Sequence, residues 1–310
     1  MADKTLTVAL TGGSGFVGRH VLRMLLEEGV HVRALLRDPT KLMLKDAHVT
    51  IVEGDLFSRD RLAELVHGVD AVIHLVGIIM EAPSRGQTFE RIHVEGTRNL
   101  MEAAQQAGAK RWIHMSALGT RPDGVSQYHQ TKWRAEEIVR KSGMDATIIR
   151  PSLIHGPDGE FTRMLRDFWT KPFPPFVPYF GRGLLGRGGA GLLQPVWVDD
   201  VARCFVRSLT LPRTINEIYP IGGPDIFTWP ELYETARRHL PNARNKRIRP
   251  IPVWYAKLIA GLPGVPFNRD QVIMSQEDSV CNIEKVQSHF GFELAPFETT
   301  FAQYAAEIEV

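Results

Sequence analysis

Thr11-Gly-Gly-Ser-Gly-Phe-Val-Gly18 decides how the first half of this chain reads. It ends the apolar, β-branched run 6–11 and opens a helical pattern over 15–28. Gly12, Gly15 and Gly18 stand three apart. Without Cβ atoms they permit a tight turn, close approach of a pyrophosphate, and tight packing of helix on strand. Free N–H groups and the positive end of the helix dipole then favour phosphate oxygens. In this strand–turn–helix context the spacing predicts a dinucleotide site, with Gly12, Ser14, Gly15, Phe16, Val17 and Gly18 as its phosphate loop.

Outward from the loop, short β-branched runs alternate with helical patterns. Strands are predicted at 6–11, 31–36, 49–53, 71–75, 112–116 and 146–150, and helices at 15–28, 59–67, 90–107 and 128–142. Several of these strands are apolar at successive positions, as strands covered on both faces are. The alternation implies right-handed crossovers and an α/β fold, a doubly wound parallel Rossmann sheet. After Pro151 the texture changes. Residues 171–180 are rich in proline and aromatics, and 181–191 form a glycine-rich stretch carrying Arg182 and Arg187. Neither suits a regular helix or a central strand. The plainer reading is a surface loop; the alternative is a lid over a substrate, its arginines holding an anionic group. Pattern resumes with 196–202, a helix to about residue 209 and a strand at 217–221, and from Thr228 onward the chain reads as helices and loops.

Length and composition narrow the function classes. The 310 residues allow one large domain or two modest ones, and 44% apolar with 23% charged residues argues against wholesale disorder. With 37 basic and 35 acidic side chains the net charge is +2, which offers no electrostatic case for nucleic acid. Cys204 and Cys281 suit a reducing compartment, and no Cys/His spacing suggests a metal site. The N-terminus lacks a basic region followed by a long apolar one. The apolar stretches 71–80 and 253–267 are interrupted by His74 and by Lys257 with two prolines. A spanning helix needs ~20 apolar residues, so a cytoplasmic protein is expected, with peripheral attachment to the inner membrane left open. Arg244, Lys246, Arg247 and Arg249 cluster in sequence. They read first as a solvated face and second as a contact for anionic lipid or an acidic partner.

The end of the second strand bears on which dinucleotide binds. An NAD site places Asp or Glu there for the ribose 2′-hydroxyl. Here Leu36 holds that position and Arg37 follows. Arg37 can pair bidentately with a 2′-phosphate, with Lys41 assisting, so NADP(H) is preferred over NAD(H). Asp38, before Pro39, suits a turn. Asp55 and Leu56, after the third strand, stand either beside adenine or in a capped turn. Tyr128 and Lys132 are four apart and share a helical face. A tyrosine titrates near ~10, and a neighbouring ammonium with an oxidised nicotinamide would lower that value toward acid–base use. On spacing alone an ordinary amphipathic helix is the better reading.

Together these residues resemble the extended and atypical short-chain dehydrogenase/reductase superfamily over essentially the whole chain. The resemblance rests on the T-G-x-x-G-x-x-G opening, Gly54-Asp55-Leu56, Tyr128-His-Gln-Thr-Lys132, Arg150-Pro-Ser-Leu-Ile-His-Gly-Pro157 and Pro195-Val-Trp-Val-Asp-Asp-Val-Ala202. His74-Leu-Val-Gly-Ile-Ile79, His93-Val-Glu-Gly-Thr97, Met115-Ser-Ala-Leu-Gly119 and Phe267-Asn-Arg-Asp-Gln-Val272 narrow it. They resemble the branch containing the NAD(P)H-binding accessory subunit of respiratory complex I and its bacterial relatives. The resemblance implies that Leu75, Val76 and Gly77 line the adenosine and ribose, and that Pro151, Ser152, Leu153 and Ile154 pack on the nicotinamide. It implies Tyr128 as the acid–base, Lys132 as its electrostatic partner and ribose anchor, and Ser116 as the substrate-orienting hydroxyl. A nucleotide domain over 1–156 and 193–223 and a smaller substrate lobe over 157–192 and 224–310 are expected. The implied activity is that of an oxidoreductase or a nucleotide-sugar epimerase/dehydratase-like enzyme on an unidentified small molecule. The alternative is a nucleotide-loaded accessory or assembly protein of respiratory complex I with little or no turnover. Two positions depart from the family. His93 stands where Asn often serves a proton relay, and Trp197 where the later motif usually has His.

Overall fold

The computed structural model describes residues 6–42, 46–262, 265 and 267–308. In chain order come β1 (Thr7–Thr11), α1 (Phe16–Glu27), β2 (His31–Leu36), β3 (Val49–Glu53), α2 (Arg59–Val66), β4 (Ala71–His74), α3 (Gly96–Gln106), β5 (Arg111–Met115), α4 (Gln127–Arg140) and β6 (Asp145–Pro151). There follow β7 (Ile154–His155), α5 (Glu160–Thr170), β8 (Phe176–Gly181), β9 (Val196–Trp197), α6 (Val198–Ser208) and β10 (Glu217–Ile221). The last elements are α7 (Trp229–His239), β11 (Arg247–Pro252), α8 (Val253–Ile259), α9 (Arg269–Met274), α10 (Glu284–Phe290) and α11 (Phe297–Tyr304).

Seven strands form one sheet in the order β10-β6-β5-β4-β1-β2-β3. Val8, Ala9 and Leu10 of β1 are wholly buried, as a central strand covered on both faces requires. β1 runs parallel to β2 and to β4, with Thr11 opposite Leu35 on one side and His74 on the other. β2–β3, β4–β5 and β5–β6 are also parallel. The chain winds outward from β1 in one direction and from β4 in the other. This is the doubly wound sheet that the strand–helix alternation predicts. The carboxyl ends of β1 and β4 form the point where strand order reverses, and open α/β sheets bind ligands there.

α1 buries Val17, Gly18, Val21, Leu22 and Leu25, a helical stripe. Behind the sheet, Val72, Leu100, Ala104, Trp112, Val139 and Ile148 make a continuous core, each large side chain contributing ~1.5–3 kcal/mol on burial. Arg111 anchors the far side of the sheet. Its guanidinium donates to the carbonyls of Asp145 at 2.5 Å and Ser208 at 2.7 Å, and to Thr214 Oγ1 at 2.9 Å.

The chain divides into two compact units. The first comprises Met1–Arg150, Asp199–Tyr219 and Lys285–Gly291, and the second Pro151–Val198, Pro220–Glu284 and Phe292–Val310. The second unit has its own core, including Leu165, Trp169, Val177, Leu232, Tyr233, Phe297 and Phe301. It carries two small parallel sheets, β7–β9 and β8–β11.

Three elements depart from the sequence expectation, the first being strand β8 inside the proline- and aromatic-rich stretch read as a surface loop. The region after Thr228 contains a strand, β11, with Arg247 opposite Phe176 of β8. Pro250 and Pro252 argue against a strand in sequence, but a two-stranded ribbon leaves one edge of each strand unpaired, where a missing N–H is tolerated. The helix expected over 90–107 begins as a π-helical turn, Glu90–Glu95, before α3.

Candidate active site

The phosphate loop is shaped by contacts that only glycine permits. Gly12 has φ +82°, and a Cβ there would lie 3.2 Å from the Leu75 carbonyl carbon and the Val76 nitrogen. A Cβ on Gly18 would lie 2.0 Å from the Gly12 carbonyl oxygen. The Gly15 N–H donates to Gly12 O at 3.0 Å, which closes the turn. α1 begins with no side-chain cap and no acid in its first turn. Its leading N–H groups and its dipole are therefore available to an anion. Ser14 and Phe16 are partly exposed beside the loop, and Val17 is buried beneath it. A cradle that a Cβ would fill, ending in uncapped donors, fits a dinucleotide pyrophosphate.

Beyond β2, Arg37 is exposed and shares a cleft with Glu53, Gly54, Asp55, Ser58 and Arg61. Asp38 is turned to a local task. Its carboxylate accepts from the Thr40 N–H at 3.0 Å and the Thr40 hydroxyl at 2.6 Å, bonds that hold it below the usual carboxylate range. Lys41 sits exposed in the turn that Asp38 caps. Asp55 accepts from the Phe57 N–H at 2.9 Å and the Ser58 hydroxyl at 2.8 Å, so the turn-capping role left open by sequence is made. Leu56 is buried under Gly96, where a Cβ would lie 2.6 Å from its Cδ1.

The end of β4 links this loop to α4. Leu75 donates its N–H to Thr11 O at 3.1 Å, and Gly77 follows two residues later. A Cβ on Gly77 would lie 3.7 Å from Lys132 Nζ. α4 starts at the Ser126 cap, whose hydroxyl oxygen accepts from the His129 N–H at 3.1 Å. The helix then carries Lys132 inward, 3% exposed, with Nζ donating to Met115 O at 2.5 Å. Ser116, also 3% exposed, comes next on that strand end, its hydroxyl donating to Thr120 Oγ1 at 3.3 Å. Gly12, Leu75–Gly77 and Lys132 thus form one chain of close contacts across the switch point.

Burial dominates the electrostatics of the protein alone. It pushes Tyr128 up to about 12. The reason lies in its neighbours, since the ring packs edge-on against Phe89 and His93, with centroids 5.9 and 5.5 Å away. Burial also pushes Lys132 down to about 8, against the pull of Glu136. The ammonium is therefore itself weakened, and the phenol keeps its proton at neutral pH.

The profile of the NAD(P)H-binding family matches residues 12–167, half of the chain. The chain belongs to this family. It is 32% identical over 249 residues to the ceramide reductase of Caulobacter vibrioides, covering 80% of this chain and 74% of that protein. It is 27% identical over 261 residues to the mitochondrial NADH-ubiquinone oxidoreductase 40 kDa subunit of Neurospora crassa, covering 83% of this chain but only 65% of that one. Among solved structures, that of gox2253 is 25% identical with a TM-score of 0.74 over 96% of each chain. MoeE5 in complex with UDP-glucose and NAD is 20% identical with a TM-score of 0.75 over 97% of each. In sequence the chain is similar to mitochondrial NADH dehydrogenase subunits, and in fold to structures of short-chain dehydrogenase/reductase and epimerase proteins.

In this NAD(P)H-binding protein His93 is locked rather than poised. Its Nδ1 is 2.9 Å from Thr131 Oγ1, and its Nε2 is 3.1 Å from both the N–H and the carbonyl of Ile78. The Thr131 hydroxyl has the Gln127 and Tyr128 carbonyls, at 2.9 and 3.0 Å, to donate to. Either neutral tautomer finds a partner for both ring nitrogens among Thr131 and the Ile78 backbone. Burial, with Lys132 nearby, holds His93 neutral. His74 is likewise neutral, held at about 3, and is bracketed by Thr11 at 2.6 Å and Thr97 at 3.1 Å. Sequence reasoning missed Thr97 and Thr131. Thr131 lies inside the Tyr128–Lys132 motif, and its position one residue before Lys132 is the signal that would have found it.

Pro151, Ser152, Leu153 and Ile154 fall in the second unit. There the Ser152 hydroxyl meets Ser279 Oγ at 2.9 Å, and Leu153 O accepts from the Val196 N–H at 2.9 Å. Trp197 stacks on Tyr304 with ring centroids 5.4 Å apart, a packing role. Lys246 leaves the expected basic cluster. It is buried, and its ammonium is spent on the carbonyls of Phe168, Lys171 and Pro174 at 2.6–2.8 Å. Cys204 and Cys281 are both free thiols. Among the described residues no His/Cys/Asp/Glu group is arranged to hold a metal, and no helix is long and apolar enough to cross a membrane.

Proposed function

We propose that this protein is an NADP(H)-dependent oxidoreductase that reduces a carbonyl group on a long-chain lipid of the ceramide kind. The observation that carries the reading is the contact chain from Gly12 through Leu75–Gly77 to the Lys132 ammonium, which sets the acid–base helix beside the phosphate loop. The bound cofactor supplies the hydride. Tyr128 gives its proton to the carbonyl oxygen, Ser116 holds that oxygen by a hydrogen bond, and Lys132 anchors the ribose while favouring the phenolate left behind. A phenol held at about 12 is protonated at neutral pH, the form that reduction requires at its start. The ceramide reductase relative supports the substrate class, and the UDP-glucose-bound structures, alike in fold alone, support a nucleotide-sugar substrate less.

The test is NADPH oxidation with detergent-dispersed keto-lipids alongside short ketones, aldehydes and nucleotide sugars. Turnover confined to long-chain carbonyls is expected. Turnover on nucleotide sugars alone would overturn the substrate class. The second reading is a nucleotide-loaded accessory protein of a respiratory complex, peripheral to the inner membrane. It is favoured by His93, whose ring nitrogens are both engaged where a relay would need one exchangeable. Binding to the native state alone would stabilise it without any reaction. Tight NADPH binding with no turnover on any carbonyl, and recovery with a membrane complex, would establish that reading.

Arg37 supports NADP(H) over NAD(H), because Leu36 provides no carboxylate and Asp38 is consumed by Thr40. A bidentate charge-assisted contact is worth ~1.5–3 kcal/mol, roughly a 10–100-fold preference. Titration of both reduced cofactors should show that ratio in the native protein and near parity in Arg37→Ala. Equal affinities in the native protein would refute the assignment.

A further inference from the structure

Two stretches of the second unit concentrate positive charge, while the unit's acidic side chains lie elsewhere in it. Between Asp167 and Asp199 stand Lys171, Arg182 and Arg187 with no carboxylate, and between Glu234 and Asp270 stand eight lysines and arginines, again with none. The net charge of the full chain is only +2. Strands β8 and β11 come from these two stretches and pair with each other, Gly181 opposite Pro252. Beyond that register the chain forms a loop at 182–188 and the helix α8.

Loop and helix touch. The Trp254 indole N–H donates to Leu184 O at 3.1 Å. Gly186 sits so close to β11 that a Cβ on it would lie 3.0 Å from Pro250 Cβ. Together they present large apolar side chains to solvent: Leu184 is 78% exposed, Leu185 64%, Trp254 55%, Leu258 70% and Leu262 55%. Trp254, Leu258 and Leu262 recur every four residues, while Ala256 is fully buried on the other face of α8. Isolated exposed leucines are ordinary, but a contiguous group of this kind marks an interaction surface. Arg187, Arg247 and Arg249 are exposed around it, and Lys257 is partly exposed within α8. Trp and Leu beside Lys and Arg are the combination that seats a helix in the headgroup region, the rings and leucines entering the acyl boundary and the cations meeting phosphates.

We propose that this end of the second unit, built from the 182–188 loop, β11 and α8, docks on a bilayer surface bearing anionic headgroups. The charge decides the occupant. A neutral apolar partner would need no stretch of some thirty-five residues free of carboxylates, whereas an anionic leaflet attracts each cation near its surface by roughly fivefold in partition. This inference goes beyond the proposed reaction, and vesicle binding tests it without a substrate.

The full chain should float with phosphatidylcholine vesicles rich in phosphatidylglycerol and remain unbound with phosphatidylcholine alone. Raised salt should weaken the binding through screening. The Leu184→Ser/Leu258→Ser pair should lower partition by about tenfold or more, and Arg247→Gln/Arg249→Gln by roughly twentyfold. NADPH titration of each variant reports an intact first unit, and circular dichroism melting an intact second one. Binding that is indifferent to phosphatidylglycerol, or unchanged in both folded variant pairs, overturns the proposal. So does light scattering that shows a dimer in the native chain and a monomer in the leucine pair, since the face would then serve a second copy.

Discussion

Gly18→Ala should eliminate measurable NADPH binding and lower the stability of the protein. The added Cβ would fall 2.0 Å from Gly12 O and 2.8 Å from Gly13 Cα, both backbone atoms that no rotamer change can move. Helix α1 must then shift away from β1, and overpacking of this kind costs ~1–3 kcal/mol even where a core partly relaxes. The same shift separates the leading N–H groups of α1 from the phosphates. Losing two such charge-assisted bonds, each ~1.5–3 kcal/mol, lowers affinity by roughly 10²–10⁴-fold. Calorimetric titration and thermal melting measure the two effects. Gly18→Ala binding NADPH within a few-fold of the native protein would show that the loop does not hold the pyrophosphate.

Tyr128→Phe should lower kcat by ~10²–10⁴-fold with cofactor affinity nearly unchanged, because it deletes the transferable proton and keeps the ring. Phe89 and His93 pack against that ring edge-on, and phenylalanine preserves both contacts. Full turnover in Tyr128→Phe on any substrate found would remove Tyr128 from the chemistry. Lys132 adds a pH dependence. Its pKa in the folded protein is lowered to about 8, so its charge is present below that pH and lost as pH rises through it. NADPH affinity should therefore fall above pH 8, steepening toward tenfold per unit, and Lys132→Met should be weaker and flat. Stability moves the other way. The unfolded chain holds the Lys132 proton up to ~10.4, so burying this group costs stability below about 8 and that cost is relieved as pH rises toward the unfolded value. Affinity that is level from pH 7 to 9 in the native protein would exclude Lys132 as a charged ribose anchor.

Much of the first unit is legible in sequence because its signals are local. The apolar runs that become β1, β2, β4, β5 and β6 are each read from a handful of neighbours, and so is the helical stripe Val17, Val21, Leu25 of α1. The glycine loop is legible for a stronger reason. Gly12 and Gly18 are required by backbone contacts within six residues of one another, together with one strand end, so the demand falls on the residue type itself. Asp38 and Asp55 also act within three residues, and their turn roles follow from Asx chemistry.

The rest depended on partners far along the chain. α10 returns to the first unit by packing Phe290 on Tyr219, ring centroids 4.8 Å apart, seventy-one positions earlier in sequence. No local pattern in a seven-residue helix announces that contact. β11 exists because β8 offers an edge, and its prolines hid it. Lys246 reads as one of four surface cations, yet three carbonyls from another segment draw it inside. Tyr128 and Lys132 were placed together by a four-residue spacing, but burial set their proton affinities, the phenol packed against Phe89 and His93 and the ammonium carried inward against the pull of Glu136. Composition and periodicity by themselves determined the α/β class, the glycine loop and the helix that carries Tyr128 and Lys132, because backbone geometry within a few residues dictates each. Burial and long-range pairing decided which charges survive, which histidines stay neutral and which apolar side chains face outward, because desolvation acts only after distant segments have met.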